Sequence, residues 1–323
     1  MCSLVTGGAG FIGSRLVEYL IQFEQKIIVL DDFSSKTNEK FIRQLNSDRI
    51  EIIEGSVLNQ KLVSNIMSGV SHCYHLAATL GVQRINSDPI VALENNIKGS
   101  EVVLTQAAKF GVRTIVASTS EIYGKNINVP LSEHSDRILG QTNIARWTYS
   151  EAKAINEFYA LELYNKHKFP MSIVRFFNTV GPRQSGTYGM VMPRFIESAI
   201  TNKPIYVYGD GEQTRSFCSV SDAVIALKLI IDKPESIGEV YNLGSDYEIS
   251  ILDLAKLIIK LTNSKSEIIH VSHSEIFGVN FEEPRRRVPD ISKIKGTIDW
   301  APIKEVGTIV LEIAQHYKTK DLY

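Results

Sequence analysis

Two side chains near the middle of the chain suggest redox chemistry on an alcohol. Tyr149 and Lys153 stand four residues apart, so they share one face of a helix. An ammonium beside a phenol favours the phenolate and lowers a phenol pKa of about 10 toward neutral pH. A phenolate in that position can take the proton of a substrate hydroxyl while hydride leaves the same carbon. We therefore expect Tyr149 to be a general base, on a helix that runs to about Asn165.

A hydroxyl near this pair is supplied by Thr119. The apolar run 112–119 predicts a buried strand that ends at Thr119. Open α/β sheets bind their ligands beyond the carboxyl ends of the strands. Thr119 can therefore share the substrate proton with Tyr149.

A glycine turn near the N-terminus predicts a dinucleotide site. Gly7, Gly10 and Gly13 have the spacing GxxGxxG, after a predicted strand at 3–6 and at the start of a helix from Phe11. A strand, a glycine turn and a helix direct backbone N–H groups and the positive helix end at a pyrophosphate. The spacing differs from the usual GxGxxG, so the turn alone is weak evidence.

The end of the second predicted strand favours NAD as the cofactor. Residues 26–31 form an apolar run that ends at Asp31. A carboxylate at this distance accepts hydrogen bonds from the adenosine ribose hydroxyls and repels a 2′-phosphate. We therefore expect NAD rather than NADP.

The hydrophobic pattern predicts an α/β fold with a doubly wound parallel sheet, the Rossmann type, and a smaller α/β substrate lobe. Strands and helices alternate through the first half of the chain, which is typical of this class. After residue 178, glycine, proline and polar loops predominate, with one clear long helix around 254–261. The candidate strands are 3–6, 26–31, 50–54, 70–76, 112–119 and 171–177.

The composition is that of an ordinary enzyme. The chain has 323 residues, 44% of them hydrophobic, and a net charge of −1, which does not favour nucleic acid or a membrane as a partner. The three cysteines are too few and too scattered for a disulfide framework or a zinc site, and we expect no metal. With no signal segment or long apolar span, the prediction is a cytoplasmic protein.

Several motifs in order along the chain resemble the extended short-chain dehydrogenase/reductase family, specifically its nucleotide-sugar epimerases, dehydratases and decarboxylases. The resemblance runs nearly end to end, and its many independent motifs make it specific. The motifs are TGGAGFIG at 6–13, HLAA at 75–78, NIKGS at 96–100, STSEIYG at 118–124, YSEAK at 149–153, RFFN at 175–178, GPR at 181–183, YGDGEQTR at 208–215 and RVPD at 287–290.

The resemblance implies a Rossmann domain with tightly held NAD, a nucleoside-diphosphate sugar as substrate, and a homodimer built on a four-helix bundle. It implies a cofactor domain of residues 1–178, to which about 219–245 return, and a substrate lobe of 179–218 and 246–323. The implied cofactor-binding residues are Gly7, Gly10, Phe11, Ile12, Gly13, Asp31, Ser56, Val57, Ala77, Tyr149 and Lys153. The implied substrate-binding residues are Asn178, Arg183, Tyr208, Arg215 and Arg287. Ser56 departs from the aspartate usual in the family, so we expect weaker adenine binding.

The residues after Thr119 distinguish the reactions of this family. All begin with oxidation of the sugar at C4. The 4-epimerases lack an acid here, and the 4,6-dehydratases carry Asp-Glu, whereas Ser120 and Glu121 resemble the Ser-Glu pair of UDP-glucuronate decarboxylases. The resemblance then implies that Arg287 and Ser120 orient a carboxylate on C5 and that Glu121 positions the ring or a water.

The reaction is left open between decarboxylase and 4-epimerase, with the former favoured. The segment around Tyr149 lacks the Cys-Tyr-Asp-Glu-Gly-Lys usual for UDP-xylose synthases. A 4,6-dehydratase ranks third, because Ser120 is a poor proton donor. A dinucleotide-binding sensor without activity ranks last, since such proteins typically lose the catalytic tyrosine or lysine.

Overall fold

The centre of the fold is a seven-stranded parallel sheet. In the computed structural model, the residues that are described are 1–35, 38–45, 47–79, 89–144, 146–186, 190–272, 276, 282 and 284–320. The sheet consists of β1 (Cys2–Thr6), β2 (Lys26–Asp31), β3 (Ile50–Glu54), β4 (His72–His75), β5 (Arg113–Thr119), β6 (Met171–Phe176) and β11 (Val240–Leu243).

The strand order confirms the predicted doubly wound sheet. It runs β11-β6-β5-β4-β1-β2-β3, and all neighbours are parallel. The order reverses between β1 and β4, which is where such sheets bind dinucleotides. All six predicted strands are present. The seventh, β11, lies in the segment 219–245, which was expected to return to the sheet domain.

Helices cover both faces of the sheet, so most of its strands are buried, whereas β3 at the sheet edge is only partly buried. One face packs on helices α1 (Phe11–Leu20), α2 (Glu39–Gln44), α7 (Val220–Asp232) and α9 (Ser292–Ile298). The other face packs on α3 (Gln60–Met67), α4 (Pro89–Phe110) and α5 (Arg146–His167). Helix α5 includes the predicted stretch from Tyr149 to Asn165. No helix in the described part of the chain is both long and apolar enough to span a bilayer.

A second apolar core lies in the C-terminal half of the chain. Helices α6 (Val191–Ile200), α8 (Ile251–Thr262) and α10 (Val306–Lys320) enclose it with strand β8 (Ile205–Tyr208). The remaining short strands there are β7 (Thr179–Val180), β9 (Thr214–Ser216), β10 (Cys218–Ser219), β12 (Glu248–Ser250) and β13 (Ile268–Val271).

The expectation of a single long helix after residue 178 is wrong, because α6, α7 and α10 are helical too. Pro193 made α6 difficult to predict, but it lies in the first turn, where its missing N–H costs nothing. The division into a cofactor domain and a substrate lobe stays a prediction, and the two separate cores support it.

Candidate active site

A cleft of about 580 Å³ lies at the carboxyl ends of β1, β2, β4, β5 and β6. It runs from the glycine turn to the second core, so one cleft includes both the predicted cofactor residues and most of the predicted substrate residues. It is lined by Gly7, Gly10, Phe11, Ile12, Gly13, Asp31, Ser56, Val57, Ala77, Ser120, Glu121, Tyr149, Lys153, Asn178, Tyr208, Arg215 and Arg287, among others.

The glycine turn is packed too tightly for any side chain. Gly7 has a φ of 69°, and a Cβ there would lie 2.8 Å from the backbone of Ala77. A Cβ on Gly13 would lie 2.2 Å from the carbonyl oxygen of Gly7. Helix α1 begins after Gly10 with no side-chain cap, so its first N–H groups face the cleft. This arrangement fits the pyrophosphate of a dinucleotide.

Asp31 lies at the end of β2 and helps to shape the same turn. Its two carboxylate oxygens accept hydrogen bonds from the N–H groups of Ala9 at 2.9 Å and Phe33 at 2.8 Å. Burial raises the pKa of Asp31, and these two N–H groups oppose the shift. A carboxylate has about four acceptor positions, so Asp31 can still accept hydrogen bonds from ribose hydroxyls.

Ser56, where the family usually has an aspartate, uses its hydroxyl within its own loop. The Oγ of Ser56 accepts a hydrogen bond from the N–H of Leu58 at 3.2 Å. On the other side of the turn, the N–H of Ala77 donates to the Oγ1 of Thr6 at 3.3 Å. Ser56 and Ala77 both line the cleft.

Tyr149 and Lys153 both line the cleft from helix α5. The Nζ of Lys153 donates to the carbonyl oxygen of Ala117 at 3.0 Å, and burial lowers the pKa of Lys153 to about 8. Burial raises the pKa of Tyr149, and the charge of Glu121 raises it further. The lowering of the phenol pKa expected from the Lys153 ammonium and a positive nicotinamide ring is therefore opposed by burial and by the Glu121 carboxylate, and it stays a prediction.

Thr119 and Ser120 lie at the carboxyl end of strand β5, near the start of helix α5. Thr119 caps the 3-10 helix Ser120–Tyr123, since its Oγ1 accepts a hydrogen bond from the N–H of Glu121 at 3.2 Å. The Oγ of Ser150 donates to the carbonyl oxygen of Glu121 at 2.9 Å. These two bonds fix the backbone of Glu121 at the start of helix α5.

The side chain of Glu121 lies between two arginines. Its Oε1 is 2.6 Å from the Nη1 of Arg287, and its Oε2 is 3.4 Å from the Nη2 of Arg146. Burial favours the neutral form of Glu121, but Arg287 and Arg146 outweigh it and lower the pKa of Glu121 to about 2. The Nη1 of Arg287 also donates to the Oγ of Ser120 at 3.4 Å. Glu121 is therefore an ionised carboxylate at working pH, in a cationic corner of the cleft.

Arg183 is the predicted substrate residue that the structure places elsewhere. Its guanidinium donates to the carboxylate of Glu18 at 2.8 Å and lies 3.6 Å over the ring of Phe41. Arg183 is not among the residues that line the cleft. The expected contact between Arg183 and the substrate is therefore not supported.

The other substrate residues surround the far end of the cleft. Arg215 donates to the carbonyl oxygen of Pro284 at 3.0 Å, and Asn178 donates to that of Ser216 at 3.1 Å. The guanidinium of Arg194 lies 4.1 Å from the ring of Tyr208.

Sequence reasoning missed Arg146 and Arg194, which both line this cleft. The spacing of Arg146, one helical turn before Tyr149, could have identified it.

A buried ion pair anchors helix α5 to the central sheet beneath the cleft. The Nη2 of Arg175 in β6 lies 2.7 Å from the Oε2 of Glu157 in α5, and its Nη1 donates to the hydroxyl of Tyr123 at 2.8 Å. The Oγ of Ser118 in β5 also donates to Glu157. One carboxylate and one guanidinium thus fix α5 against the strands that end at the cleft.

The comparison with known proteins now assigns the family. Residues 3–244 match the model of the NAD dependent epimerase/dehydratase family. The chain belongs to this family. Its cofactor is NAD, and the glycine turn, Asp31 and Lys153 fit that cofactor. The chain is an enzyme of the extended short-chain dehydrogenase/reductase type.

Two curated relatives share about a third or more of their residues with this chain. UDP-N-acetyl-alpha-D-glucosaminuronate decarboxylase of Bacillus cytotoxicus is 40% identical over 93% of this chain and 92% of its own length. UDP-glucuronic acid decarboxylase 1 of Arabidopsis thaliana is 34% identical over 93% of this chain and 66% of its own length.

A solved structure of the same family has the same fold. UDP-glucuronic acid 4-epimerase from Bacillus cereus, in complex with UDP-glucuronic acid and NAD, matches with a TM-score of 0.88. Its identity is 26%, over the full length of both chains. Proteins named for each of the two leading reactions, decarboxylation and 4-epimerisation, are therefore similar to this chain.

Replacing Asp31 tests its role in cofactor choice. We expect Asp31→Ala to narrow the preference for NAD over NADP by about 10-fold, since the loss of one charged hydrogen-bond acceptor costs about 1.5 kcal/mol. Glu54→Ala removes a carboxylate from the end of the neighbouring strand and should leave the preference unchanged. Titration of cofactor-free protein with both nucleotides measures the ratio. Equal affinity of the unmutated protein for NAD and NADP would contradict the assignment.

Replacing Tyr149 and Lys153 tests the proton transfer. We expect Tyr149→Phe to keep the fold and to lose roughly 10²-fold or more in turnover, which is typical of general-base catalysis. Lys153→Met removes a cation near the phenol, so the phenol pKa rises and the alkaline pH optimum moves upward. Turnover measured from pH 6 to pH 10 checks both variants. A Lys153→Met enzyme with an unchanged pH profile would show that the ammonium does not act on the phenol.

Proposed function

We propose that the protein is a UDP-glucuronate decarboxylase that forms a UDP-pentose and carbon dioxide. The observation that carries this proposal is the ionised Glu121 held between Arg287 and Arg146 beside Ser120 and Tyr149. Two guanidiniums against one carboxylate leave an excess positive charge, which suits a substrate with a carboxylate of its own. The names of the two curated relatives support the same reaction.

The residues at the cleft can perform the oxidation at C4. Tyr149 takes the proton of the C4 hydroxyl, with Thr119 bonded to the same oxygen. NAD held at the glycine turn and Asp31 would supply hydride transfer from C4 and back. The ketone at C4 makes the carboxylate on C5 a β-keto acid. Loss of carbon dioxide then moves the bonding electrons into the C4 carbonyl, and the Tyr149 phenol stabilises the enolate oxygen.

Glu121 has a positioning role in this scheme. With a pKa near 2, it holds no proton to donate at neutral pH. It can instead fix Arg287 and a water that protonates C5 after carbon dioxide has left. The Ser120 hydroxyl is too weak an acid to protonate a leaving hydroxyl group, which argues against a 4,6-dehydratase.

A 4-epimerase is the second candidate, because the Bacillus cereus epimerase has the same fold over its full length. The two reactions share Thr119, Tyr149 and Lys153, so these residues do not distinguish them. The remaining alternative, a sensor without activity, does not fit membership of an enzyme family, and Tyr149 and Lys153 both line the cleft.

Product analysis distinguishes these functions. We expect UDP-glucuronate to yield carbon dioxide and a UDP-pentose or its 4-keto form, while UDP-glucose is not turned over. UDP-N-acetylglucosaminuronate is run in parallel, because it is the named substrate of the bacterial relative. Arg287→Ala should lose more decarboxylation than NAD binding, since a desolvated carboxylate without its guanidinium costs several kcal/mol.

Mass spectrometry and proton NMR of the products give the answer. If the product is the C4 epimer of UDP-glucuronate with its carboxylate intact, the decarboxylase proposal is wrong and the protein is a 4-epimerase. Absence of any product from every nucleotide sugar tested would contradict both reactions.

We also propose a homodimer that forms through helices α4 and α5. Both helices carry large apolar side chains in contact with solvent, with Phe158 61% exposed and Ile90 70% exposed. Ile155 and Phe158 lie three residues apart on α5 and so share one face. Exposed apolar side chains grouped in this way are typical of an interface, and two-fold pairing of two helices gives a four-helix bundle. A cytoplasmic location, without membrane or nucleic-acid partners, stays a prediction.

A charge on this face tests the dimer. Phe158→Glu would bury an unpaired carboxylate in the interface, so we expect the mass in light scattering to fall from that of two chains to that of one. Ile303→Glu, at a side chain that is 81% exposed on another surface, should leave the mass unchanged. A monomeric unmutated protein at micromolar concentration would contradict the proposal.

A further inference from the structure

Arg146 is a charged residue of the cleft to which the scheme above gives only a share of the positive charge around Glu121. It lies in the first turn of α5, one turn before Tyr149, and its side chain is 10% exposed. Its Nη2 is 3.5 Å from the Oε1 of Glu121 and 3.4 Å from the Oε2. Its guanidinium therefore faces both oxygens of the one carboxylate that Arg287 also binds.

Arg287 has donors that point to a second acceptor. Its side chain is 6% exposed, yet its buried Nε has no hydrogen-bond partner among the described residues. Its Nη1 is shared between Glu121 at 2.6 Å and Ser120 at 3.4 Å. A buried N–H without a partner is costly, so the arrangement favours binding of an anionic acceptor at this position.

The arrival of a carboxylate would put two like charges beside one guanidinium. Glu121 would then compete with the substrate for Arg287, and the repulsion between two neighbouring carboxylates would oppose binding. A second cation offsets this repulsion, because the charges of two guanidiniums and two carboxylates sum to zero. Arg146 is that cation, and the start of α5 holds it in place independently of Arg287.

We propose that Arg146 is a positioning residue that retains the Glu121 carboxylate when Arg287 engages the carboxylate of a uronic-acid substrate. This inference rests on the proposed function, and it makes Arg146 a determinant of specificity for uronates over neutral sugars. Arg146 acts through Glu121 and does not itself touch the substrate. Among the described residues, the charged groups that act on Glu121 include Arg146 from α5, Arg287, and Arg215 from β9, and Glu121 in turn acts on Tyr149 of α5.

Ligand binding to a blocked enzyme tests the inference without turnover. Tyr149→Phe protein loaded with NAD is titrated with UDP-glucuronate and with UDP-glucose by calorimetry. We expect the further change Arg146→Met to weaken the binding of UDP-glucuronate on the order of 10- to 100-fold. The binding of UDP-glucose should weaken less than about 3-fold, because only the uronate competes with Glu121 for Arg287. Arg146→Lys should restore part of the loss.

A matched control uses Arg137, which pairs with Glu151 away from the cleft at 2.9 Å. Arg137→Met should leave both affinities unchanged. Equal weakening of both ligands by Arg146→Met would assign it a merely structural role and overturn the inference. Thermal unfolding is followed for each variant, and Arg146→Lys supplies the binding data if the methionine variant does not fold.

Removing Glu121 shows whether Arg146 acts through it. In a Glu121→Gln background, we expect Arg146→Met to weaken the binding of UDP-glucuronate less than about 3-fold, since no second carboxylate then competes with the substrate for Arg287. An undiminished loss in that background would mean that Arg146 binds the substrate carboxylate itself, and the inference would be wrong.

The active enzyme supplies an independent measurement. Loss of Arg146 removes one of the cations that lower the pKa of Glu121, so the acidic limb of kcat/KM should move to higher pH in Arg146→Met. An unmoved limb counts against the inference. Should the unmutated enzyme release no carbon dioxide while the binding results stand, the decarboxylase proposal fails and the role of Arg146 survives.

Discussion

The buried pair between Arg175 and Glu157 is the interaction on which the active site depends. Arg175 belongs to β6 and Glu157 to α5, and the guanidinium also donates to the hydroxyl of Tyr123. That hydroxyl donates to Asn242 of β11 at 2.7 Å. Two strands, the 3-10 helix and α5 are therefore joined through one charged network beneath the cleft. Breaking such a pair costs about 3–5 kcal/mol, because the remaining charge is left buried.

The charges above this network determine the chemistry of the cleft. Lys153 is held by the carbonyl oxygen of Ala117, and Glu121 is held by Arg287 and Arg146. Burial and Glu121 keep the Tyr149 phenol protonated in the protein alone. A positively charged nicotinamide ring opposes both effects, so proton removal by Tyr149 is coupled to the oxidised form of the cofactor. This coupling suits an enzyme in which the proton leaves a hydroxyl oxygen while hydride leaves the carbon that carries it.

The two anion sites of the cleft have different origins. At the glycine turn, backbone N–H groups and the start of α1 provide the positive charge, which requires close backbone approach and so excludes a Cβ at Gly7 and Gly13. At the other end, arginine side chains from separate segments converge on Glu121. The first site depends on local geometry, whereas the second depends on chain segments that are more than 130 residues apart in sequence, such as those of Arg287 and Glu121.

The sequence by itself determined the parallel sheet, because strands buried on both faces are apolar runs that alternate with helices. It also determined the glycine turn, Asp31, and the shared face of Tyr149 and Lys153, since each depends on spacing within one or two elements.

Only the tertiary structure decided that Arg183 pairs with Glu18 and stacks on Phe41, and so does not line the cleft. It also decided the raised pKa of Tyr149 and the place of Arg146 beside Glu121. The physical reason is that charge interactions depend on distance and burial across distant segments, and neither quantity can be read from the spacing of residues along a chain.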